Sequence, residues 1–197
     1  VVKAPAKVPN IMMGFKTPSM ISAKQGKVEA WEPYALDVLS TILDGGSSAR
    51  FSKNLVRGKE IAAGASAYYM AYGRMPEQLI VSGVPADGVD INDLRKALLA
   101  EIDVFKTELV TEEELERVKA QTLASEIFQR DSVEHMATLI GMMESVGLGW
   151  EILDEYQDSV MAVTAEQVQA VAKKYLNEDQ LTVARLEPQS LDNGGAE

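Results

Sequence analysis

Apolar residues recur along the chain in two patterns, short continuous runs and longer stripes at helical spacing. The runs, bounded by Pro, Gly and polar residues, predict strands at residues 9–15, 61–73, 79–84 and 181–186. The stripes predict helices at about residues 31–43, 48–57, 90–107, 111–130, 133–146, 152–160 and 164–175. A short connection between the second and third runs predicts an antiparallel hairpin.

The order of these elements indicates the fold class. Thr111 with Glu114, and Thr164 with Gln167, form capping boxes that support two of the helix starts. Strands and helices do not alternate as in βαβ units, so we predict an α+β fold, an antiparallel or mixed sheet covered by helices. The length of 197 residues predicts a single domain over residues 1–197, with residues 1–7 and 188–197 frayed.

Composition and charge exclude several classes of function. Lys and Arg number 19 against 30 Asp and Glu, and the formal net charge of −11 argues against nucleic acid as a partner. No run of residues is long and apolar enough to predict a membrane span. The absence of cysteine excludes disulfides and thiolate chemistry, and it suits an exported protein as well as a cytosolic one.

Candidate metal and catalytic chemistry is sparse. A catalytic zinc commonly takes three protein ligands, and His135 is the only histidine, so no His-x-x-Glu-His motif or permutation of it can be written. We interpret His135 as a structural residue, because it lies beside Met136 on the helix that carries the stripe from Val133 to Met143, and the sequence has no Gly-x-Ser-x-Gly motif. The sequence therefore predicts neither a bound metal nor a catalytic residue in this chain.

Five segments, in this order and spacing, carry a resemblance to a known family. They are TILDGGSSARFSKNLVRGKEIAAGASA, LIVSGVPADGVD, VTEEELERVKAQTLASEIFQRDS, SVGLGWEILDEY and VTAEQVQAVAKKYLNEDQLTV. Together they resemble the C-terminal, zinc-free domain of the insulinase (pitrilysin) family of zinc metallopeptidases, particularly its bacterial members. The resemblance implies two related domains that enclose a peptide chamber, with the zinc motif in the other domain.

The resemblance also implies a substrate-binding arginine and, seven residues later, a tyrosine that polarises the scissile carbonyl. Arg57 stands where the arginine is expected, but Gly64 occupies the tyrosine position. Tyr68 shares a strand face with Gly64 and lies roughly 13 Å further along it. With Ser66, these residues form the predicted substrate-binding set, and two alternatives for Arg57 stay open, substrate binding or a solvated helix end.

The predicted function is that of the zinc-free half of a zinc metallopeptidase, which completes the peptide chamber for a zinc-bearing partner in the same chain or another. This half would not cleave peptides alone. Two alternatives remain, a catalytically inactive scaffold domain of the same family and an independent peptide-binding module.

The small residues 64–67 would let a peptide pair with their strand if it is a sheet edge, unless helices crowd it. The family resemblance further predicts a periplasmic or otherwise exported location.

Overall fold

One mixed sheet organises the chain, and the computed structural model describes it over residues 1–189, apart from the side chains of residues 126–128. Its strands, in chain order, are β1 (Val2–Pro5), β2 (Asn10–Thr17), β3 (Ala62–Tyr69), β4 (Glu77–Pro85) and β5 (Leu181–Gln189). Their spatial order is β1-β5-β2-β4-β3, so β1 and β3 are the two edges. Only the β1–β5 pair is parallel among these strands.

The helices lie in two stretches of the chain, between β2 and β3 and between β4 and β5. The α-helices are α1 (Met20–Lys24), α2 (Glu32–Asp44), α3 (Ile91–Thr107), α4 (Glu112–Arg130), α5 (Val133–Val146), α6 (Ile152–Met161) and α7 (Ala165–Tyr175). A π-helix spans Phe51–Gly58, and a short 3₁₀ helix spans Glu178–Gln180. Within the described part of the chain, no helix has the length and apolar character needed to cross a membrane.

The helices cover one face of the sheet and leave the other uncovered. On β2, Ile11, Met13 and Phe15 are buried, whereas Met12 between them is 48% exposed. The same alternation runs along β4, where Leu79 and Val81 are buried. Since side chains alternate across a strand, one face of the sheet forms the core and the opposite face meets solvent. We call the second face the open face.

α2 is the centre of the helical layer. Its N-terminal end carries a proline in the first turn, and it ends at Asp44, before Gly45 and Gly46. The apolar stripe of α2 packs between the sheet and α7, and its members Ala35, Leu39 and Ile42 have no exposed surface. α5, by contrast, buries only Met143 among its residues.

The structure confirms the α+β prediction, the hairpin and both capping boxes. Three predictions differ from it. The helix predicted at about residues 48–57 is a π-helix, and its N-cap position, Arg50, makes no side-chain cap hydrogen bond. Residues 2–5, expected to fray, pair with β5 as β1, and Pro188 and Gln189 extend β5. Residues 190–197, also expected to fray, lie outside the described residues.

Candidate functional site

The predicted substrate-binding residues on β3 lie on the open face. Tyr68 is 56% exposed and Ser66 is exposed, whereas the next residue, Tyr69, is 5% exposed and donates a hydrogen bond from its hydroxyl to the Pro18 carbonyl at 2.7 Å. Gly64 belongs to the same alternating set, and a side chain placed there would meet open space. The first carbon of a side chain at position 64 would therefore meet no neighbour.

The open face continues from β3 onto its neighbours. Ser66 lies opposite Ser82 of β4, and their hydroxyl oxygens are 2.8 Å apart. Ser82 in turn lies opposite Met12 of β2. One row across three strands thus combines two hydroxyls with an exposed thioether, a surface that offers both hydrogen bonds and apolar contact.

β3 is an edge strand, and its outer side is partly occupied. The backbone N–H of Ala67 donates to Asp44 Oδ2 at 3.2 Å, so this N–H points away from β4. Backbone groups alternate in direction along a strand, and those of Ala65 therefore point to the same outer side. Burial raises the pKa of Asp44, and the hydrogen bond from Ala67 opposes that shift. Asp44 thus occupies a backbone N–H group at the sheet edge with which an added peptide strand would pair.

Both alternatives for β3, a sheet edge that a peptide can pair with and a strand crowded by helices, are therefore partly correct. β3 is at the edge of the sheet, as peptide pairing requires, yet α2 and the π-helix pack against it. Asp44 is the last residue of α2. Its contact with β3 depends on the way in which α2 and the hairpin meet in three dimensions, so no local signal identified it.

Arg57 is not brought together with the β3 residues. It is exposed in the last turn of the π-helix, and its Nη2 donates to the backbone carbonyl of Ser47. Its cleft of about 780 Å³ lies between the π-helix, α3 and α4, and its described lining excludes Gly64, Ser66 and Tyr68.

The cleft around Arg57 is strongly charged. Arg50 forms two hydrogen bonds with Glu114, at 2.7 and 2.8 Å, and stacks over Phe105 at 4.2 Å from the ring centre. The guanidinium of Arg50 lowers the pKa of Glu114. Glu101, also in the cleft, accepts hydrogen bonds from Asn54 and Lys59. These hydrogen bonds hold Arg50 and Glu101 in fixed positions in the wall of the cleft. Arg57, by contrast, forms a hydrogen bond to one backbone carbonyl.

His135 takes part in a local contact at the start of α5. Its Nε2 lies 2.7 Å from Gln129 Oε1, and its backbone N–H donates to Ser132 Oγ at 3.2 Å. Over the residues that the structure describes, no three His, Cys, Asp or Glu side chains gather in a way that could hold a metal ion. The described side chains therefore do not fit a catalytic zinc.

Comparisons with known proteins agree with this architecture. Residues 1–122 match the family model described as the peptidase M16 inactive domain. An uncharacterized zinc protease of Bacillus subtilis strain 168, YmxG, is 25% identical over 146 residues, which are 74% of this chain and 35% of that protein.

Solved structures share the fold at low sequence identity. A protease from Helicobacter pylori superposes with a TM-score of 0.84 at 22% identity, over 95% of this chain and 43% of the other. An inactive peptidase domain from Bordetella parapertussis gives a TM-score of 0.80 at 20% identity, over 96% of this chain and 95% of the other.

The chain thus spans less than half the length of the Bacillus and Helicobacter proteins and nearly the whole of the Bordetella domain. The family model covers more than half of the chain, and it agrees with the resemblance that the sequence motifs carry. This chain therefore belongs to the family of peptidase M16 inactive domains.

Proposed function

We propose that this domain completes a peptide-binding chamber opposite a zinc-bearing peptidase domain, and that the open face and β3 contribute to the wall of the chamber. The observation that carries the proposal is the open face, which no helix of the described residues covers and which ends at the edge strand β3. An antiparallel sheet commonly packs one face on the core and leaves the other to solvent, and here the second face also carries the exposed apolar side chains of Met12 and Tyr68, which suit a binding surface.

The edge of β3 suits a peptide in extended conformation. The outward backbone groups of Ala65 can form ladder hydrogen bonds with an added strand, because the side chains around them are small. Pairing further along, at Ala67, would displace Asp44 from the N–H it now occupies. Tyr68 and Met12 would offer apolar contacts to the side chains of the bound peptide.

The zinc implied by the family belongs, in this proposal, to the partner domain, which lies in the same polypeptide or in another. Peptide hydrolysis would take place there, while this domain holds the substrate. Arg57 is proposed to donate from its guanidinium to a peptide carbonyl, since it is exposed and only a single carbonyl now occupies it. To reach the open face it would have to leave the Ser47 carbonyl.

The direct test combines the purified chain with a zinc-bearing M16 domain from the same organism and follows the cleavage of a fluorogenic peptide. Cleavage is expected only when both domains are present, and a zinc chelator should abolish it. Zinc-dependent cleavage by this chain alone would contradict the proposal. So would cleavage by the partner domain at the same rate with and without this chain.

Arg57→Ala in the same assay tests the role of the guanidinium. If Arg57 contacts the substrate, kcat/KM of the assembly should fall about tenfold or more. Lys53→Ala is the matched control, because Lys53 is an exposed cation of the same π-helix and the same cleft. Equal activity of the Arg57→Ala variant and the unaltered protein would remove Arg57 from the site.

A catalytically inactive scaffold domain is the second candidate function. Gly64 in place of the expected tyrosine and the contact between Arg57 and Ser47 favour it. In that case the two domains would associate, which size-exclusion chromatography would detect, but neither alone nor together would they cleave peptides.

An exported, periplasmic location is a further proposal from the family resemblance, and fractionation of the source cells would test it.

A further inference from the structure

A polar cavity lies in the helical layer, apart from the open face and from Arg57. Its volume is about 440 Å³, within the range of small-molecule sites. It is open to solvent on one side, and its walls come from α2, α4, α5, α6 and the β3–β4 connection. Its described lining consists of hydroxyl, amide, phenol and carboxyl side chains with two leucines, namely Asp37, Thr41, Tyr72, Gln121, Thr122, Ser125, Gln129, Leu139, Leu153 and Tyr156, together with Gly45.

Asp37 is the only charged residue in that described lining. It projects from α2, and one of its carboxylate oxygens accepts a hydrogen bond from the Tyr156 hydroxyl. No cationic side chain among the described residues forms an ion pair with it. Asp37 is partly exposed, and even partial burial of a carboxylate without a cation penalises its charged form. Burial accordingly raises the pKa of Asp37, and the hydrogen bond from Tyr156 opposes the shift.

Two aromatic rings stand beside this carboxylate. Tyr72 and Tyr156 pack at a tilt, with ring centres 6.3 Å apart, and both line the cavity. Tyrosine faces attract cations through the ring quadrupole, which adds to the attraction of a carboxylate. Leu139 and Leu153 supply apolar wall on which an aliphatic chain can rest.

We propose that this cavity is a binding site for a small aliphatic ammonium ion, with Asp37 as its counter-ion and Tyr72 and Tyr156 beside the charge. The hydroxyls and amides around it can accept the remaining N–H bonds of the ammonium group. The cation could belong to a free amine or to a lysine side chain of a peptide, and the two sources share this chemistry.

The test is calorimetric titration of the 197-residue chain with n-butylamine at neutral pH, where the amine is protonated. Saturable binding is expected, and 1-butanol and butyrate, which match its size without the positive charge, should not bind. A blocked tripeptide Gly-Lys-Gly and its norleucine analogue form the second pair of ligands. Binding of the lysine peptide would assign the site to peptide side chains, whereas binding of butylamine alone would assign it to free amines.

Variants connect the binding to the cavity. Asp37→Asn keeps the shape and an acceptor for Tyr156, and the dissociation constant should rise at least about tenfold because a charged hydrogen bond is lost. Asp103→Asn removes the same charge from an exposed position on α3 and should leave the affinity unchanged. Circular dichroism and thermal melting of each variant check the fold.

Ser125→Trp provides an independent check should Asp37→Asn fail to fold. Ser125 is an exposed residue of α4 that lines the cavity, so an indole there would obstruct it without entering the core. Binding should then be lost in a folded protein. The proposal would be overturned by the absence of saturable butylamine binding, by equal binding of 1-butanol, or by unchanged affinity in a folded Asp37→Asn or Ser125→Trp variant.

Discussion

α2 and α5 have similar sequence patterns and very different surroundings. Each carries a stripe of large apolar residues at helical spacing. In α2, Leu39 and Ile42 have no exposed surface, whereas in α5 Ile140 is 40% exposed and Val133 is 86% exposed. α2 lies between the sheet and α7, while α5 packs mainly against α4. The period of a stripe thus predicts a helix and its apolar side, but not whether another element covers that side.

The largest expected difference between the two helices comes from removing the same side chain in each. Ile42→Ala should lower the free energy of unfolding by about 2–5 kcal/mol, because it leaves a cavity in a fully buried site. Ile140→Ala is the matched change on α5 and should cost less than about 1 kcal/mol. Equilibrium unfolding in urea measures both. Equal losses would show that α5 is covered in solution.

A smaller effect is expected from the ion pair that joins α2 to α7. Lys174 Nζ lies 2.8 and 2.9 Å from the two carboxylate oxygens of Glu32, and the Tyr175 hydroxyl also donates to this group. Glu32→Gln removes the charge and should cost about 1–3 kcal/mol of unfolding free energy. Glu134→Gln, at an exposed position in the first turn of α5, should change stability by less than about 0.5 kcal/mol.

The effect of Glu32→Gln should depend on pH. Burial opposes ionisation of Glu32, but the hydrogen bonds from Lys174, Tyr175 and the Glu29 backbone together hold its pKa below its ordinary value. The stability contributed by the carboxylate is therefore fully present above the unfolded pKa of about 4.3 and is lost as the pH falls through the lower folded pKa. The unfolding free energies of the unaltered protein and the Glu32→Gln variant should converge at acid pH. A difference between them that stays constant with pH would contradict this account.

The smallest effect is expected at the most exposed apolar position of α5. Val133→Thr should change the free energy of unfolding by less than about 0.5 kcal/mol, because both the methyl and the hydroxyl meet water. Thermal melting at two protein concentrations measures it. A loss above about 1 kcal/mol that depends on concentration would indicate that a second copy of the chain covers α5.

Much of the fold could be predicted from local sequence signals. Thr111 and Thr164 are followed three residues later by Glu114 and Gln167, and each pair forms the predicted capping box. The hairpin followed from two apolar runs with a short connection. β1 could not be predicted in this way, because its four residues are mostly exposed and owe their conformation to pairing with β5, at the other end of the sequence.

The candidate site was harder to predict than the fold. The resemblance nominated position 64, and alternation along a strand correctly placed Tyr68 on the same face as Gly64. Asp44 at the edge of β3 and Asp37 in the helical cavity had no local signal. Their surroundings arise from residues far away in the sequence, Ala67 in one case and Tyr156 in the other.

β5 has a consequence for how the chain assembles during synthesis. It inserts between β1 and β2, although it comes last in the described sequence. Until residues 181–189 leave the ribosome, β2 has one unpaired side, and an unpaired strand can capture a neighbouring chain. Such long-range pairing also slows folding. The nascent protein therefore passes through a stage at which β2 can aggregate, and chaperones that shield strand edges should act at that stage.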